Sequence, residues 1–290
     1  MARAATDRAL RYASHLGYLS PDEPLFRESV GSLDPVAHVE FAAARGFHGV
    51  LYPWAITRSS EEVGRVAAAL RNHEMEAGCV VFAPLDVVLT PLWVQGRTTA
   101  RDQLLEWVLK SATLASKLNS RILAVLVTAD NDRPLKDQRC SLVENLKFAA
   151  DIASSFGLVV GIEPMIDLPN MLLRHVADAY ELIQEVDHPA VKLIFDTGHV
   201  QVMDGEILEP FVNFYDSVAV LQLADQPGRV EPGAGKIDLS PLLAHAILSD
   251  FRGLVELEHG WSLPGAEGEA SGLERLWSVD QAARRIAEVV

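Results

Sequence analysis

A chain of 290 residues, 49% hydrophobic and 22% charged, can bury the core of one large domain and is too apolar to stay disordered. Its 25 Lys+Arg against 40 Asp+Glu give a formal charge of -15, which repels nucleic-acid phosphate and anionic lipid and leaves carboxylates for cations. Cys79 and Cys140 form no CxxC pair and exclude a disulfide framework, with Cys79 in CVVFA reading as a small core residue.

The amino-terminal MARAATDRALRYA is basic without the apolar stretch of a signal peptide, and no segment approaches the length of a membrane span, so the expectation is a soluble cytoplasmic protein. RYASHLGYL reads as a first strand. The next helix opens at Asp34-Pro35, a capping residue followed by proline in the first turn, and stops at Gly46. HGVLYP is a second strand and SSEEVGRVAAALRNH a helix with a serine cap and acidic first turn. Strand EAGCVVFAP, the long helix TTARDQLLEWVLKSATLASKLN, strand RILAVLV and helix SLVENLKFAADIASSFG follow. The second half continues with VVGIE, VADAYELIQEV, VKLIFD, EILEPFVNFYD, VAVLQLAD, LSPLLAHAIL and GLVELE. Three loops are expected after strands: LSPDEPLFRESVGSL, TADNDRPLKDQR and SLPGAEGEASG. Eight strands joined by helical crossovers predict parallel pairing and an α/β fold, a (β/α)8 TIM barrel as a single domain over 1–290. A doubly wound sheet is the alternative, but no GxGxxG or GxxxxGK[ST] turn occurs.

Four apolar runs of the second half end on oxygen donors: Glu163, Asp196, Gln222 and Glu258. A carboxylate closing a strand buried on both faces is costly unless it meets a cation, a hydrogen-bond partner or water. In a barrel these endings come from adjacent staves and line one mouth, which predicts a shared metal site. Three carboxylates and an amide oxygen suit Mn²⁺ or Mg²⁺, with Co²⁺ or Zn²⁺ as further candidates. Glu256, two residues before Glu258, shares its strand face and competes with it.

With GIEP, LPNMLL, FDTGH, LQLADQPGRVEPGAGKID and GLVELEH in place, the chain resembles the xylose-isomerase-like TIM barrels of sugar isomerases and epimerases, most closely the hydroxypyruvate isomerase group. The resemblance spans nearly the whole chain. It implies metal ligation by Glu163, Asp196, Gln222 and Glu258, the last favoured over Glu256 because it directly precedes His259-Gly260. Ketose epimerases of the superfamily commonly carry histidine where Gln222 stands, so glutamine points to the isomerase group. DNA-repair endonucleases on the same barrel need further histidines that are missing from these strand ends.

The resemblance implies proton transfer beside a carbonyl, with the developing enediolate stabilised by the cation and Glu163 and Glu258 as general base and acid. His199, three residues past Asp196, is expected to hydrogen-bond a substrate oxygen. Arg229 and Glu231, in PGRVEPGAG after the seventh strand, are expected to bind substrate, Arg229 as a bidentate clamp. Asp225 is expected to shape that loop; Trp54 and Phe82, near the ends of strands two and three, are candidates for the pocket wall, with packing the commoner role for aromatics there. The substrate implied is a small sugar or hydroxy-carbonyl compound, hydroxypyruvate included; a ketose epimerase, an inosose-type dehydratase and a non-catalytic sugar-binding barrel are the alternatives. The group's polar residues are replaced in the apolar segment LDVVLTPLWVQGRTT, and 164–167 is shorter than in the group and lacks its asparagine and arginine, which implies a changed pocket. No nucleic-acid or membrane partner is expected, and a homo-oligomer is compatible with this reading.

Overall fold

Short, mostly buried strands alternate with helices along the chain, and every strand pairing is parallel. The computed structural model describes residues 8–289; residues 1–7, on which part of the signal-peptide expectation rests, lie outside the described residues. The strands are β1 (Arg11–His15), β2 (Gly49–Leu51), β3 (Glu76–Ala77), β4 (Val80–Val81), β5 (Ile122–Val125), β6 (Val159–Ile162), β7 (Val191–Asp196), β8 (Val218–Leu223) and β9 (Leu254–Leu257). Their spatial order is β3-β2-β1-β9-β8-β7-β6-β5-β4. The sheet therefore curls back on itself as a TIM barrel.

One stave differs from expectation. The third predicted strand is split at Gly78-Cys79 into β3, which pairs with β2, and β4, which pairs with β5. A side chain from across the barrel fills the break: Cys79 N donates to Glu256 Oε1 at 2.7 Å. A Cβ on Gly78 would lie 2.3 Å from that same oxygen, so only glycine leaves room for the glutamate.

Helix starts follow local chemistry. Asp34 accepts from Val36 N with Pro35 in the first turn, and Ser59 accepts from Glu62 N. All three expected loops are partly helical: Arg27–Val30 lies inside LSPDEPLFRESVGSL, Leu135–Ser155 begins inside TADNDRPLKDQR, and Gly265–Val289 inside SLPGAEGEASG. Pro134 at the cap of the second helix and Gly265 at the start of the third were legible only as breakers, whereas both also open helices. Within LDVVLTPLWVQGRTT a single helical turn forms at Leu85–Val88.

The main core lies between the strands and the surrounding helices, where Leu104, Leu146, Leu182 and Leu243 are fully buried. A second cluster, Leu51, Cys79, Ala124, Ile194 and Val220, takes one residue from each of five staves and packs the barrel interior beneath the mouth. Among the described residues, no helix is long and apolar enough to cross a membrane.

Candidate active site

Parallel register turns residues remote in sequence into one polar layer. Asp196 of β7 lies opposite Gln222 of β8, which lies opposite Glu256 of β9. Glu258 follows β9, its N–H donating to Leu223 O, and Glu163 follows β6, its N–H donating to Val125 O. All five side chains come from the carboxyl ends of four successive staves. Glu163, Asp196, Gln222 and Glu256 are buried to 7% exposure or less.

Asp196 has a second task, because it caps the helix Thr197–Asp204: its Oδ1 accepts from His199 N at 2.8 Å. That cap fixes His199 over the site. The imidazole Nε2 lies 3.6 Å from Glu163 Oε1 and its Nδ1 3.4 Å from Asp167 Oδ2. Burial lowers the His199 pKa against the pull of Asp196, which favours the neutral ring.

The loop after β8 supplies the opposing charge. Asp225, fully buried, accepts from Gly233 N and Gly235 N through one oxygen and from Gln226 N and Ile237 N through the other, as the loop-shaping expectation required. A Cβ on Gly235 would lie 2.2 Å from Asp225 Oδ1. The loop delivers Arg229, whose Nη2 donates to Asp196 Oδ2 at 2.6 Å and lies 3.4 Å from Glu258 Oε1. Its Nη1 reaches Asp196 Oδ1 at 3.3 Å, so the grip on Asp196 is bidentate.

These charges set the protonation order. Burial would raise the Asp196 pKa, but Arg229 and His199 outweigh it and hold the group ionised. Arg229 is likewise raised, burial being overcome by Asp196 and Glu258. Glu163 is pushed well above the ordinary carboxylate range, first by burial and then by Glu258 and Asp196. Glu258 rises to about 8, chiefly by burial, with Arg229 pulling the other way.

The donors fit a hard divalent ion. Glu163 Oε1 and Gln222 Oε1 are buried acceptors with no hydrogen-bond partner, a costly state that a cation would relieve. Glu163, Asp196 and His199 each present a ligand atom within 4.8 Å of the others. Oxygen donors predominate, as hard ions require.

A cavity of about 250 Å³ opens over this cluster, lined by Glu163, His199, Gln222, Arg229 and Glu258 of the expected site. Asp196 lies behind Arg229. Glu231 does not line the cavity, contrary to its expected place at the substrate: its buried carboxylate accepts from Ser262 N at 2.7 Å and from Arg275 Nε at 2.9 Å. It braces the loop from behind. Phe82 is also absent from the wall, since it is buried against Trp93, whereas Trp54 lines it. Among the lining groups not singled out from the sequence are Tyr18 and Asp167. Tyr18 follows the first strand in HLGYL, a strand-end position that the barrel places at the mouth, and Arg229 lies 5.4 Å over its ring.

The family model described as xylose isomerase-like TIM barrel matches residues 39–278. The chain belongs to this family. Within it, the chain is 29% identical over 236 residues to the hydroxypyruvate isomerase of Escherichia coli, covering 79% of this chain and 89% of that protein. It is 32% identical over 119 residues to the 2-oxo-tetronate isomerase of Cupriavidus necator, covering 40% and 45%. A crystal structure described as AP endonuclease, family 2, from Brucella melitensis superposes with a TM-score of 0.74 at 22% identity, covering 91% of this chain and 98% of that one, which is a likeness of fold. For a xylose isomerase-like barrel, the acid cluster at the mouth is where the fold presents its chemistry.

Proposed function

We propose that this protein is a divalent-metal-dependent isomerase of a small hydroxy-carbonyl compound, of the kind named for its hydroxypyruvate and 2-oxo-tetronate isomerase relatives. The observation that carries the reading is a pair of glutamates, Glu163 and Glu258, facing one cavity together with the unpartnered amide oxygen of Gln222. Glu163, Asp196, Gln222 and Glu258 would hold the cation, Mn²⁺ or Mg²⁺ before Co²⁺ or Zn²⁺. When bound, it supplies electrostatic stabilisation to the oxygens of an enediolate.

The chain's own groups account for the rest. Two carboxylates facing one cavity can take a proton from one carbon and return it to the next, which suits Glu163 and Glu258 to act in turn as base and acid. In the balanced reaction, one C–H proton leaves the hydroxyl-bearing carbon and one is delivered to the former carbonyl carbon, while the hydroxyl's O–H proton passes to the former carbonyl oxygen. No oxidant enters. Neutral His199 can donate to a substrate oxygen, and Arg229 supplies positive charge for an anionic or hydroxyl group. The charge of -15 supports a small-molecule substrate over nucleic acid, and a cytoplasmic setting accompanies this reading.

The test is incubation in D₂O with Mn²⁺ and hydroxypyruvate, tartronate semialdehyde, 2-oxo-tetronate, ketoses and inososes, followed by NMR and mass spectrometry. Isomerisation gives the positional isomer with deuterium at carbon. Stereochemical inversion alone would make the protein an epimerase, and loss of water a dehydratase. Absence of exchange in every compound would leave only a sugar-binding barrel.

A further inference from the structure

The cavity has two chemically distinct halves, and the barrel order explains the division. Polar lining residues Glu163, His199, Gln222, Arg229 and Glu258 come from staves five to eight. The opposite wall is built from staves two to four and the segments that follow them: Trp54, Ile56, Val81, Leu85, Val88 and Leu126. No charged side chain lines that half. Its one hydroxyl, on Thr57, already donates to Trp54 O at 2.9 Å, and its remaining polar atoms are the Cys79 thiol and the unpartnered indole N–H of Trp54. Leu19 and Leu85, which also line the cavity, are left 67% and 43% exposed, so the apolar surface continues to the rim.

We infer that the substrate carries an alkyl or aryl tail beyond its hydroxy-carbonyl head, seated on the wall formed by Trp54, Val81, Leu85, Val88 and Leu126. This rests on the isomerase reading of the polar half and specifies what that half cannot. A ketohexose would set several distal hydroxyls against mostly aliphatic carbon, where they lose water and meet one free donor, Trp54 Nε1. An apolar tail gains there, and would cover Leu19 and Leu85.

The experiment holds the head constant and changes the tail. Compounds of the form R–CO–CH₂OH, with R methyl, propyl, pentyl or benzyl, are compared with erythrulose and fructose using the full chain and Mn²⁺. Isomerisation to R–CHOH–CHO moves one proton between the two carbons and one between their oxygens, and needs no co-reactant. The expected result is a kcat/KM that rises about fourfold per added methylene, corresponding to about 0.8 kcal/mol per buried CH₂. Leu85→Ser, at a partly exposed position, should flatten that rise. A polyol preferred over its matched alkyl compound, or a rate indifferent to tail length, overturns the inference while leaving the isomerase reading intact. If no compound of this series turns over, the isomerase reading stands or falls on its own panel, and calorimetric dissociation constants for the same series decide the tail: progressive tightening with chain length upholds it, a flat series removes it.

Discussion

Gln222 Nε2 donates to Glu256 Oε2 at 3.1 Å, which fixes the amide so that its oxygen is left without a protein partner. The other Glu256 oxygen accepts from Cys79 N in the gap of the split stave. Glu256 thus ties three staves together beneath the mouth, and burial raises its pKa to about 7.

Removing that support should loosen the amide. Glu256→Ala is expected to weaken Mn²⁺ binding roughly 10–100-fold, as for other groups that orient metal ligands. Titration calorimetry on the folded variant is the check, and an unaltered affinity would show that Gln222 needs no such brace.

Glu163→Gln separates function from stability. It abolishes a proton acceptor, so turnover should fall by at least about 10²-fold. The metal-free protein should become more stable by about 1–2 kcal/mol, because the cost of suppressing ionisation of a carboxyl buried beside Glu258 and Asp196 is gone. Urea unfolding without added cation measures this, and a loss of stability contradicts the crowding argument.

Arg229 neutralises the cluster, so Arg229→Met should cost the metal-free protein about 3–5 kcal/mol by leaving Asp196 and Glu258 unpaired. Saturating Mn²⁺ should narrow the gap, because a ligand that binds the folded state stabilises it. Thermal melts of both proteins with and without the ion test this; equal shifts would mean that cation and guanidinium do not share these carboxylates.

Glu231 sets an acid dependence. Burial would raise its pKa, but hydrogen bonds from Ser262 and Arg275 lower it below the ordinary value. A group depressed in the folded state stabilises fully above its unfolded pKa of about 4.3 and loses that contribution as pH falls through the folded value. Glu231→Gln should therefore cost about 2–3 kcal/mol at neutral pH, with a difference that closes in acid. Denaturant titrations across that range would expose a pH-independent difference, which would assign the effect to packing.

The strand endings were legible because burial on both faces makes a terminal Glu163 or Asp196 conspicuous within an apolar run. The helix starts at Leu135 and Gly265 were not, since proline and glycine punctuate loops and open helices alike. Glu231 reads as a site residue from its loop, yet its carboxylate turns toward Arg275 on the carboxyl-terminal helix, a partner 44 residues away.

From the sequence alone came the order of elements, the parallel barrel and the oxygen-rich donor set, because hydrophobic period and polar strand ends are local properties of the chain. Tertiary structure decided the division of labour between Glu256 and Glu258. A two-residue spacing puts both on one strand face. Only depth in the barrel separates them: Glu256 meets Cys79 and Gln222 below, while Glu258 lines the cavity beside Arg229.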